Sequence, residues 1–92
     1  MVSAIVLINT QRSEVNETAQ RLLEIEGVAE VYSVTGEYDL VALLRFQHYE
    51  DLAEVVTRHM QQIPTITNTH TLMAFKCFSR DDLQQAWDIG IE

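Results

Sequence analysis

Apolar and polar positions change period several times along this chain, and each change marks an element. Residues 2–9 form a nearly unbroken apolar run rich in β-branched side chains, Val2, Ile5, Val6 and Ile8, the pattern of a strand covered on both faces. Over residues 14–26 the apolar positions Val15, Ala19, Leu22 and Leu23 recur at helical spacing, with Glu26 ending the stripe. Ser13 is placed to cap that helix, Glu14 and Glu17 complement its dipole in the first turn, and Gly27 stops it. Strand patterns return over 28–35 and 39–46, the first alternating Val31, Ser33 and Thr35 against Tyr32 and Val34. Joined by a short polar turn, these two predict an antiparallel hairpin. A second helix is predicted over 49–62, with Leu52, Val55, Val56, Met60 and Ile63 on one face and Glu50 and Asp51 in its first turn. Pro64 blocks its extension. Residues 65–78 then read as a fourth strand. Alternation puts Thr65, Thr67, Thr69, Thr71, Met73 and Phe75 on one side, and Ile66, Asn68, His70, Leu72 and Ala74 on the other.

The order is strand, helix, strand, strand, helix, strand, which is the split βαβ arrangement of the α+β, ferredoxin-like class. Two helices then cover one face of a four-stranded sheet and leave the other face open. The strands over 2–9 and 39–46 are apolar on both sides, so the open face displays an apolar patch that predicts face-to-face dimerisation of the dimeric α/β-barrel type. Residues 1–78 are expected to form this domain. Ser79-Arg80-Asp81-Asp82 has the form of a capping box ahead of Leu83, Ala86 and Trp87, so residues 79–92 are expected to add a short helical extension. Trp87 is there either a clasp on its own domain or a contact between subunits.

Composition narrows the choice of partners more than the choice of fold. Ninety-two residues with 47% apolar and 22% charged side chains suit one globular core and leave no room for a second. No run approaches the roughly 20 apolar residues that span a bilayer, and the run 4–8 lacks the basic flank and cleavage site of a signal peptide. The single cysteine, Cys77, cannot form an internal disulfide, which fits a reducing cytoplasm. Six basic residues face fourteen acidic ones, for a net charge of −8. Affinity for nucleic acid comes largely from Lys and Arg on phosphates, so direct DNA binding is not expected, nor is attraction to an anionic membrane.

The hairpin turn, Thr35-Gly36-Glu37-Tyr38-Asp39-Leu40, concentrates the candidate chemistry. Gly36 can take backbone angles closed to other residues, which leaves the N–H groups of Gly36, Glu37 and Tyr38 free to meet a ligand, with the Asp39 carboxylate beside them. Donors next to an acid suit a zwitterion; a simple chain reversal is the other reading. Together with Gly27-Val28 and Tyr32, the Thr-Gly-x-Tyr-Asp pattern of this turn resembles the effector-binding (RAM) domain of the Lrp/AsnC family of transcriptional regulators, over roughly residues 2–78. Such regulators usually carry a helix-turn-helix domain before this module. Here the chain starts directly in the first strand, so a stand-alone form is expected.

The resemblance implies a non-enzymatic module that binds an amino acid between dimers, assembled as a ring of dimers. By position, the N–H groups of Gly36, Glu37 and Tyr38 would take the α-carboxylate and Asp39 the ammonium. Thr67, Thr69 and Thr71 of a neighbouring subunit, with Asn68 or His70 nearby, would line the side-chain pocket. The implied output is transcription control exerted indirectly, through a full-length Lrp/AsnC regulator or another protein. Enzymatic signals are weak beside this. His48, His59 and His70 fall in different elements without partners at metal-ligand spacing, His59 at the border of the second helix's buried face. Cys77 and Lys76 point to opposite sides of a strand, and no phosphate-binding or dinucleotide fingerprint is present. Two alternatives stay open. One is a small dimeric enzyme of the cofactor-free monooxygenase or isomerase kind, whose only candidates are Tyr32, Tyr38 and His70 in a cavity inside the monomer. The other is a purely structural oligomerisation domain.

Overall fold

Four strands and two helical segments follow one another in the predicted order in a computed structural model that describes residues 1–78 and Arg80. The predicted terminal helix and Trp87 lie outside the described residues. The strands are β1 (Val2–Thr10), β2 (Val28–Ser33), β3 (Leu40–Phe46) and β4 (Ile66–Ala74). They form one antiparallel sheet in the order β2-β3-β1-β4. The most apolar strands, β1 and β3, take the two central positions, where both edges of a strand are hydrogen-bonded to neighbours. Among the described residues, no helix is long and apolar enough to cross a membrane.

Alternation along the central strands divides the side chains cleanly. Ala4, Val6 and Ile8 of β1 and Leu40, Ala42 and Leu44 of β3 are buried beneath the helices. Helix α1 (Val15–Leu23) closes over them with Leu22, and the second helical segment does so with Leu52, Val55 and Met60. That segment starts as α2 (Tyr49–Glu54), widens to a π turn over Val55–His59 and tightens to a 3₁₀ turn at Met60–Gln62. It runs to the predicted end before Pro64.

Among the described residues, the opposite face of the sheet carries no helix. Residues paired across strands share a face, so one row of it reads Glu30, Leu43, Ile5, Leu72 and the next Tyr32, Val41, Leu7, His70. Aliphatic side chains thus fill the centre of the open face, with Glu30 and Tyr32 at one edge and Leu72 and His70 at the other.

Three features of α1 and β4 depart from the periodic reading. Ser13 does not cap the helix. The chain turns tightly there, with the Glu14 N–H donating to the Gln11 carbonyl at 3.1 Å, and Ser13 takes a positive φ of 71°. Glu14 occupies the capping position without a side-chain bond. The buried stripe of α1 is also rotated: Leu23 and Glu26 are not part of it, whereas Thr18 is fully buried and Ile25, beyond the helix end, packs on the core. Lastly, the register of β4 on β1 shifts between Asn9 and Thr10, with Asn68 opposite Asn9 but Ile66 opposite Thr10. This bulge absorbs Thr67 and moves Ile66 to the helix side, where it joins the core instead of sharing a face with Asn68 and His70.

Thr18 is tolerated in the core because its hydroxyl is doubly engaged. It donates to the Glu14 carbonyl at 2.7 Å, one turn back, and is hydrogen-bonded to the Thr65 hydroxyl just before β4. The pair ties α1 to the fourth strand. Thr18→Val, which keeps the volume, is expected to lower the unfolding free energy by about 1–2 kcal/mol in urea titration, the usual cost of removing one partner from a buried hydrogen bond.

Candidate functional site

The turn between β2 and β3 is closed by one residue. Val34 N–H donates to the Asp39 carbonyl at 3.0 Å, and Asp39 N–H donates to the Ile8 carbonyl of β1 at 2.9 Å. Asp39 Oδ2 accepts the Thr10 N–H at 2.9 Å. Backbone and carboxylate together therefore clamp the hairpin onto the end of β1, beside the bulge. Nothing in the local sequence signals the last bond, because Thr10 lies 29 residues before Asp39. It is nevertheless the reason an acid sits well there, since a carboxylate satisfies a strand-end N–H that the irregular ladder leaves over.

Between Val34 and Asp39 the backbone makes no ladder bond among the described residues. Gly36 adopts a φ of +106°, and among the described residues no heavy atom beyond its own chain neighbours lies within 4 Å of where a Cβ would stand. Glycine is needed for the backbone angle, not for space. Among the described residues, the N–H groups of Gly36, Glu37 and Tyr38 donate no hydrogen bond, and Asp39 Oδ1 accepts none. Gly36 and Glu37 are exposed, while Tyr38 and Asp39 are half-buried. The result is a small shelf of backbone donors beside one remaining carboxylate oxygen.

The fourth strand supplies its candidates to two faces, not one. Thr69 and Thr71 pair with Ile8 and Val6 and so lie on the helix side, half-buried. Asn68 and His70 pair with Asn9 and Leu7 on the open side, and Thr67 is the exposed bulge residue. From a single strand, these five cannot line one pocket. The register also sets Leu40, Ile8 and Thr69 in one row. The turn and the start of β4 therefore occupy the same end of the same sheet, separated by β1, about 10 Å apart at ordinary strand spacing. His70 and Thr71 lie further along, away from that end.

Two concavities open on the helix side. One, of about 270 Å³, lies between α2 and β4 and is lined by Leu52, Ala53, Val56, Thr71 and Met73 with Tyr49 and Thr57 at its border. The larger, about 890 Å³, is a groove between the two helical segments, with the exposed His59 in its lining. Tyr32, Tyr38 and His70, the candidates for an enzyme within the monomer, line neither. The Tyr32 phenol is moreover held above its ordinary pKa, first by its hydrogen bond to the Glu30 carboxylate and then by that group's charge. That direction is wrong for a general base near neutral pH. Among the described residues no group of three or more His, Cys, Asp or Glu is placed to hold a metal ion.

The chain is similar to one domain of known transcriptional regulators. The profile of the family described as Lrp/AsnC ligand binding domain matches residues 3–83. The HTH-type transcriptional regulator FL11 of Pyrococcus abyssi is 33% identical over 73 residues, 79% of this chain but 48% of its own length. The chain thus spans about half the length of the curated relatives it matches. Among solved structures, TTHA0845 from Thermus thermophilus superposes with a TM-score of 0.80 at 42% identity, covering 87% of this chain and all of the other. The feast or famine regulatory protein Rv3291c from M. tuberculosis, solved in complex with L-methionine, gives a TM-score of 0.72 at 28% identity over 88% of this chain and 54% of its own.

Proposed function

Because the chain belongs to the Lrp/AsnC ligand-binding domain family, we propose that it is a non-enzymatic regulatory module that binds a free amino acid at the turn between β2 and β3. The observation that carries this reading is the shelf at Gly36, Glu37 and Tyr38, three unengaged backbone donors beside the open Oδ1 of an otherwise anchored Asp39. The α-carboxylate accepts from the shelf, and the ammonium donates to Oδ1 in a charge-assisted bond. That a relative at 28% identity was solved with L-methionine supports an amino acid as the ligand class.

The side-chain pocket is completed by Thr67, Asn68, Thr69, His70 or Thr71 of a neighbouring subunit. Division of these residues between two faces means that only one set, Asn68 with His70 or Thr69 with Thr71, lines a given pocket. The aliphatic patch of the open face, Ile5, Leu7, Val41, Leu43 and Leu72, supports pairing of two subunits sheet to sheet, since an apolar patch of this kind is costly in water. A ligand held where dimers meet biases assembly only by its differential affinity for the assembled and separated states, typically about 1–3 kcal/mol. With a net charge of −8, the module acts on transcription through a protein partner, such as a full-length regulator, and not by touching DNA itself.

Isothermal calorimetry against the twenty amino acids, paired with light scattering, tests this directly. The expected result is heat from one or a few of them at millimolar concentration or below, with an oligomer whose mass shifts on binding. A ligand-indifferent oligomer would leave assembly alone as the function, and a monodisperse monomer would overturn the sheet-to-sheet pairing.

A further inference from the structure

We propose that the groove between α1 and the second helical segment is a docking site for a basic, amphipathic helix of a partner protein. Its floor is apolar, formed by Ile25, Phe46, Val55 and Ile63. Its walls are acidic: Glu17 and Glu24 along one side, Asp51 and Glu54 along the other, and Glu26 at the end, against one guanidinium, Arg21. Two of these acids already have partners on their own helix, Glu17 with Arg21 at 3.9 Å and Glu54 with Arg58 at 3.1 Å. Glu24, Glu26 and Asp51 make no ion pair among the described residues. A surface with an apolar strip flanked by uncompensated carboxylates is complementary to a helix that carries an apolar stripe bordered by Lys and Arg.

The shape selects the same occupant. At about 890 Å³ the groove has the volume of a ligand pocket, but it is a broad trough between two helices and not a cavity that would enclose most of a small molecule. A third helix laid along it would pack against helices on both sides. Nucleic acid is excluded by the sign of the walls.

The groove runs along both helical segments on the covered face of the sheet, and no residue of the effector turn lines it. Phe46, in its floor, pairs with Val2 at the start of β1, whereas the turn is bonded to Ile8 and Thr10 at the other end. The two sites share no residue, so the docking proposal and the amino acid reading are tested separately and each can fail without the other.

The probe is a fluorescein-labelled synthetic peptide of about 16 residues with Leu at i, i+3, i+4 and i+7 and Lys on both flanks, read by anisotropy and by amide chemical shifts of the full chain. Two controls share its length: one scrambles the same residues, and one carries Glu for Lys. The expected result is binding at least about tenfold tighter than either control, with shifts centred on Glu24, Asp51, Glu54 and Val55. The double variant Glu24→Lys, Asp51→Lys, at two exposed positions, should weaken the Lys peptide by about tenfold or more, while leaving the circular dichroism spectrum and any amino acid heat unchanged. Equal binding of the scrambled peptide, shifts confined to the open sheet face, or an unaffected double variant would each overturn the proposal.

Discussion

Gly27→Ala is expected to lower the unfolding free energy by about 3 kcal/mol. Gly27 follows α1 with a φ of +100°, and a Cβ built on it would run into the Phe46 ring, which packs directly over the glycine. Two costs combine. The backbone angle is one that L-residues avoid, at about 1–2 kcal/mol, and overpacking against the Phe46 ring adds about 1–3 kcal/mol. A gain of about 0.4–1 kcal/mol from the stiffer unfolded chain offsets a little of this. The backbone cannot shift to relieve the overlap, because the Gly27 carbonyl accepts the Arg45 N–H at 2.8 Å and fixes the loop to β3. Gly36 supplies the control. Its φ is nearly the same, yet its Cβ would meet nothing, so Gly36→Ala should cost only the backbone share. Urea titration of the two variants separates strain from overlap. In a Phe46→Ala background the cost of Gly27→Ala should fall toward that of Gly36→Ala; equal costs for Gly27→Ala with and without the ring would show that the overlap does not matter.

The gross architecture was legible because periodicity and chain order are local signals. A run such as Leu40–Phe46, apolar at every position but Arg45, has few places to go except the middle of a sheet, and the stripe from Leu52 to Ile63 has one side to bury. What escaped is whatever depends on a second segment. Ser13 has the right chemistry for a cap, but the chain reversal that joins β1 to α1 forces it to a positive φ and removes it from the helix end. Thr18 reads as a surface residue until Thr65, 47 positions away, arrives to share its hydroxyl. The bulge that turns Ile66 inward arises from the pairing of β4 with β1 and has no signature in β4 alone.

The candidate site divides along the same line. Gly36 announces a backbone angle, and Asp39 announces an acid at a turn, so both stood out. The bond from Thr10 to Asp39 could not be read, yet it changes what Asp39 is. An acid proposed only as a ligand for an ammonium group proves to hold the hairpin to β1 through one oxygen and to keep the other open. The clamp favours the proposed ligand role, because an anchored carboxylate loses little side-chain entropy when a ligand binds.

That double role makes Asp39→Asn the informative substitution and Asp39→Ala the blunt one. The amide retains a carbonyl oxygen to accept the Thr10 N–H, so Asp39→Asn should unfold at nearly the wild-type urea midpoint. It loses the negative charge that faces the ligand ammonium, and amino acid affinity should fall by about ten- to a hundredfold, the range expected when a charge-assisted bond becomes a neutral one. Asp39→Ala removes both contacts and should in addition lower stability by about 1–2 kcal/mol, since the Thr10 N–H is left without its partner. Calorimetry with the amino acid that gives heat on the wild-type protein, run beside urea titration of each variant, distinguishes the cases. Wild-type affinity in Asp39→Asn would place the ammonium elsewhere and leave Asp39 as a structural clamp. Loss of affinity with unchanged stability in Asp39→Asn, and loss of both in Asp39→Ala, is the pattern that a carboxylate divided between fold and ligand requires.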